Sequence, residues 1–143
     1  MMRELNKLFV AAAALALLVG CQSTGGSASK SDAATDTSGG VRQTAADLES
    51  YYAEPHMTRW KNASGLTGVS EIAPDGVIKV DWGKGGDVGR WEIENDAFCT
   101  TYQAIRKGEK RCAFIYAFPK GERRSFDAET GRYISTSWPR DAS

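Results

Sequence analysis

The chain has 143 residues, with 18 Lys+Arg against 18 Asp+Glu and a single histidine. Such a balance excludes a dedicated nucleic-acid binder, which needs a strong basic excess. The length excludes two sizeable domains once an N-terminal leader is set aside.

Arg3, Glu4 and Lys7 precede an unbroken apolar run over 8–19 (LFVAAAALALLV), which ends at Gly20 and Cys21. The run falls short of the roughly 20 apolar residues that span a bilayer. It has the form of a signal-peptide apolar region, with small residues at the cut site. The four residues Leu18-Val19-Gly20-Cys21 resemble the bacterial lipobox, whose cysteine receives diacylglycerol. This resemblance implies a signal peptide over 1–20, cleavage before Cys21, and a membrane as partner through acyl chains such as palmitate on that sulfur. One acyl chain holds a protein marginally, at about 0.8 kcal/mol per buried CH₂, and two make the attachment stable. Gln22 stands where an aspartate would commonly mean inner-membrane retention. The implied address is therefore the cell envelope, at the outer membrane facing the periplasm.

Loss of the leader removes Arg3, Lys7 and Glu4 and leaves 16 basic against 17 acidic residues. With Cys21 consumed by its thioether, Cys99 and Cys112 remain as a pair with a single connectivity. Export places them where disulfides persist, and their spacing suits a bridge across a hairpin. A metal or redox pair is the competing reading, but the spacing is not C-x-x-C and no histidine lies nearby.

Residues 21–40 read as the lipidated cysteine and a Gly/Ser/Ala/Thr tether (QSTGGSASKSDAATDTSGG after Cys21), with nothing apolar large enough to pack. A single globular domain is expected over 41–143. Thr44 followed by Asp47 gives a capping box, and Ala45, Leu48 and Tyr52 share a face, so the pattern predicts a helix over 43–54 stopped by Pro55. The period then changes to two. Strands are predicted over 69–72, 77–82, 90–94, 98–105, 112–118, 125–126 and 133–136, with turns at Pro74-Asp75-Gly76, 83–89, Lys107-Gly108 and Glu129-Thr130-Gly131. Ile78, Val80 and Trp82 fall on one face, as do Trp91 and Ile93. The expected fold is mainly β: an antiparallel meander forming a small curled sheet or partial barrel, with the one short N-terminal helix on a face or closing an end.

Pro74-Asp75-Gly76, the bend 83–86, Gly89-Arg90-Trp91, Cys99 and Cys112 together resemble a family of small exported alphaproteobacterial proteins, catalogued as a domain of unknown function. The resemblance covers roughly residues 48–137. It implies the β fold and the cysteine pair, and brings no catalytic residue or ligand.

Candidate chemistry is sparse. His56 is the only histidine, between Pro55 and Met57, and reads as a surface residue beside the helix stop. Glu92, Glu94 and Asp96 alternate with Trp91 and Ile93, the pattern of a solvated strand face rather than of a glycosidase carboxylate pair. The glycine-rich 83–86 lacks phosphate-loop order. No catalytic residue, metal site or cofactor is expected. Trp82, Trp91, Phe98, Tyr102, Phe114, Tyr116, Phe118 and Phe126 are expected to fill the core. Arg106, Lys107, Lys110, Arg111, Lys120, Arg123 and Arg124 cluster against only Glu109 and Glu122. If their loops share one end, they form a basic rim able to contact an anionic envelope polymer; the plainer reading is solubility and protection of sheet edges.

The expectation for function is a membrane-anchored, non-enzymatic binding or interaction module of the envelope, with an envelope protein or anionic polymer as partner and no nucleic acid. An inhibitor of an envelope hydrolase, or a small hydrolase, is the alternative.

Overall fold

Alternation of side chains between two faces governs most of the chain after Pro55. The computed structural model describes residues 36–141. The expected leader, Cys21 and the expected tether as far as residue 35 lie outside the described residues. The elements in order are β1 (Val41–Arg42), α1 (Ala45–Tyr51), β2 (His56–Asn62), β3 (Thr67–Ile72), β4 (Val77–Asp81), β5 (Gly86–Glu94), β6 (Ala97–Tyr102), β7 (Arg111–Ala117), β8 (Arg123–Asp127) and β9 (Tyr133–Pro139).

From β2 to β9 each strand pairs antiparallel with the next, and β9 returns to β2 with Trp60 opposite Ser137. The meander therefore closes into an eight-stranded barrel, which satisfies both edges of every barrel strand. This is a more complete closure than the curled sheet expected from the sequence. β1 is a short addition on β7, with Val41 opposite Ala117.

Local chemistry sets each corner. Asn62 Oδ1 accepts from the Ser64 and Leu66 amides in the β2–β3 turn. Asp75 Oδ1 accepts from Val77 N, and Gly76 takes φ +89°, a conformation open to glycine without penalty. Asn95 and Asp96 both sit at positive φ, as a two-residue hairpin of the primed type requires. Gly86 to Gly89, expected within a turn, instead belong to β5, because the β4–β5 reversal needs only the residues around Gly83–Gly85.

The helix is capped as the sequence predicts. Thr44 Oγ1 accepts from Asp47 N at 3.3 Å while Asp47 Oδ2 accepts from Thr44 N at 2.9 Å. It is shorter than expected, with Tyr52 already its C-cap. Seven residues of helix are marginal alone, and tertiary contacts hold them: Asp96 Oδ1 accepts from Ala45 N, and Ile115 O from Gln43 N. Leu48 is fully buried and Tyr52 nearly so, in one cluster with Ile72, Ile78, Ala113 and Ile115. The helix thus plugs one end of the barrel.

The aromatic residues divide between two faces, which corrects the expectation of one aromatic core. Ala113 and Ile115 line the interior, so their neighbours Phe114 and Tyr116 project from the outer face of β7. There Tyr116 meets Phe126 edge-on, Arg42 covers Phe114, and Arg124 covers Phe118. Asp36–Gly40, expected at the end of the tether, form a turn in which Asp36 O accepts from Arg124 Nη1 and Gly40 lies against the Phe118 ring.

Candidate functional site

A closed barrel of eight strands is just wide enough inside for packed side chains or one small ligand. Here the lumen holds a cavity of about 500 Å³, within the range of roughly 300–1,000 Å³ usual for small-molecule sites. Its floor is Tyr52, Ile72, Ile78 and Ile115, above the plug formed by α1. Its mouth lies at the opposite end, among Leu66, Trp82, Ile105 and Arg106 on the turns between strands.

The wall is two-sided. β2, β3, β8 and β9 contribute the hydroxyls of Thr58, Ser70, Ser125, Ser135 and Ser137. β4, β6 and β7 contribute chiefly Ile78, Val80, Phe98, Ala113 and Ile115. Ser125 and Ser135, opposite each other across β8 and β9, bond through their hydroxyls at 2.8 Å. One buried donor is left over: Trp60 Nε1 is shielded from solvent and has no acceptor. Burial raises the Tyr102 phenol to about 12, so it is a neutral donor under ordinary conditions.

Two arginines line the cavity. Arg111 Nε donates to Asp127 Oδ2 at 2.9 Å. Amides of Thr130 and Glu129 also reach Asp127 Oδ1, and these bonds, Thr130 first and then Arg111, hold its carboxyl down at about 2. Arg106 Nη2 donates to Thr100 O at 3.0 Å and Thr100 Oγ1 at 3.1 Å, and no carboxylate lies within ion-pair distance of it among the described residues.

The seven basic residues of the expected rim are not brought together. Successive hairpins of a meander turn at alternate ends, so Arg106, Lys107, Lys110 and Arg111 sit at the mouth side while Lys120, Arg123 and Arg124 sit at the helix end. Most have other work: Lys110 bridges Glu92 and Glu94, Arg124 pairs with Glu122, and Arg123 lies 3.5 Å over the Tyr51 ring.

His56 stacks on Tyr51 and donates Nε2–H to Tyr51 O at 2.6 Å, a bond that fixes its tautomer. It contacts no carboxylate or serine among the described residues. Cys99 and Cys112 lie directly opposite on β6 and β7 and are joined as a disulfide on the outer face. Glu94 approaches both sulfurs, but sulfurs committed to that bond are not thiolate ligands. Among the described residues no helix is long and apolar enough to cross a membrane.

Sequence reasoning missed β2 and with it Thr58, Trp60 and the lumen. No protein-family model matches the chain, and no curated protein or solved structure matches it.

Proposed function

We propose that this chain is an exported, lipid-anchored envelope protein whose domain binds a small molecule inside the barrel. The anchor rests on the signal grammar and lipobox resemblance of residues 8–21. The binding role rests on one observation, the cavity of about 500 Å³ that is plugged at one end, open at the other, and lined by both apolar groups and hydroxyls. A barrel built only for stability would fill this space, because each void forfeits dispersion contacts and destabilises the fold. A lumen left open and furnished with polar groups matches the anatomy of ligand sites.

Mass spectrometry on protein extracted from membranes without reductant tests the reading. The intact species is expected to begin at an acylated Cys21, to carry the Cys99–Cys112 bridge, and to hold a small molecule in native conditions that is released on denaturation. A chain retaining its first twenty residues and lacking an acyl adduct would overturn the anchor. Absence of any retained molecule, with no binding across a panel of envelope extracts, would overturn the lumen assignment.

A further inference from the structure

The turn after β6 carries an unusual cost. Arg106 (φ 55°) and Lys107 (φ 54°) both adopt the left-handed region before Gly108 (φ 78°). Side chains other than glycine and asparagine seldom occupy it, and such strain concentrates where a group must be placed. The turn is held by Asp87, whose Oδ2 accepts from Ala104 N at 2.9 Å and Ile105 N at 2.8 Å. What it places is the Arg106 guanidinium, folded back into the mouth against Thr100 and 5.4 Å over the Tyr102 ring.

A half-buried cation is costly unless a counter-charge accompanies it. Arg111 in the same cavity has Asp127, but Arg106 donates to the Thr100 carbonyl and hydroxyl and to the Glu109 carbonyl, with no carboxylate within ion-pair distance among the described residues. Below the mouth the cavity turns apolar toward Ile78, Ile115 and the helix.

We infer that the lumen takes a small monocarboxylate with an apolar body, its carboxylate on Arg106 at the mouth and its apolar part against β4, β6 and β7. A single negative charge matches the one cavity guanidinium that has no ion-pair contact among the described residues; a dianion would enter half neutralised. Guanidinium and carboxylate fit in a planar, charge-assisted pair. The inference rests on the lumen-binding reading above and adds the chemistry of the ligand.

The test uses the full chain carrying Cys21→Ser, so that no acyl chain competes for the lumen. Octanoate and octan-1-ol are titrated separately against it, with binding read by calorimetry and by tryptophan fluorescence, since Trp60 and Trp82 line the cavity. Octanoate is expected to bind roughly tenfold more tightly than the alcohol, the scale of one charge-assisted pair. Arg106→Gly should erase that preference, bringing octanoate down to the affinity of octan-1-ol for the same variant, and glycine suits φ 55°, so the turn is kept. Arg106→Lys should keep most of the preference. Equal binding of acid and alcohol, or a preference that survives Arg106→Gly, overturns the inference while leaving a lumen binder standing. No binding of either also overturns the inference, while the lumen assignment itself is decided by the panel of envelope extracts. Since the acid–alcohol comparison is made first on the chain with Arg106 in place, it decides even if Arg106→Gly fails to fold.

Discussion

Trp60 and Gly68 sit opposite each other on β2 and β3, and a carbon added at Gly68 would stand 2.3 Å from the Trp60 ring and 2.4 Å from Asp81 O. The missing side chain on β3 is the berth for the indole on β2. Gly68→Ala is therefore expected to drive Trp60 from its place and strain β4, destabilising the domain by about 1–3 kcal/mol as overpacking does. Chemical denaturation read by tryptophan fluorescence measures both effects, and an unchanged midpoint with an unchanged spectrum would contradict the packing described.

Asp127 gives a pH dependence with a definite sign. Hydrogen bonds from Thr130, then Arg111, hold its carboxyl at about 2, below the ordinary 3.8. A carboxyl depressed by folding contributes stability that is complete above its unfolded value and is lost as pH falls through its folded value. Unfolding free energy should thus decline from about pH 4 toward pH 2. Asp127→Asn keeps the turn acceptor but not the charge, so its stability should decline less over the same window. Parallel urea titrations of both proteins across that interval provide the check.

The Cys99–Cys112 bridge closes a loop with a sequence separation of 13. Constraining the unfolded chain over such a loop contributes about 3 kcal/mol. The double substitution Cys99→Ala with Cys112→Ala should lower the urea midpoint accordingly, and added reductant should then have no further effect.

Asp87 tests whether the turn at the mouth is held or merely rests there. Its carboxylate receives the Ala104 and Ile105 amides, and those bonds, Ile105 first, keep it ionised at lower pH than usual. Asp87→Ala frees the turn that carries Arg106. Octanoate affinity is expected to fall severalfold with little change in thermal midpoint, because the contact is at the surface. An equal affinity would show that Arg106 holds its position without this anchor.

The sequence was most informative where hydrophobic patterning and turn chemistry agreed. Thr44 and Asp47 announced the cap, Pro74-Asp75-Gly76 its turn, and Ile78 with Val80 a strand facing inward. It failed at β2 for a physical reason. The inward positions of that strand are His56, Thr58, Trp60 and Asn62, so the side facing the lumen is mostly polar and no period-two apolar signal arises. β8 and β9 also turn serines inward, Ser125, Ser135 and Ser137, so only the short stretches 125–126 and 133–136 were legible as strands. Barrel closure depends on the β9–β2 pairing, which no local pattern encodes. The aromatic run from Phe114 to Phe118 misled in the other direction, since small Ala113 faces in while Phe114 faces out. Binary patterning assumes that interiors are apolar, and the residues that defy it here are those lining the cavity.

The chain reaches the barrel at its shut end: Asp36 binds Arg124 beside the β7–β8 turn, and Val41 joins β7 at Ala117. Any leash attached upstream therefore pulls on the floor rather than on the opening. A pull delivered at Asp36 is thus borne by β7 and the β7–β8 turn, while the turns around Trp82 and Arg106 at the other end stay out of its path.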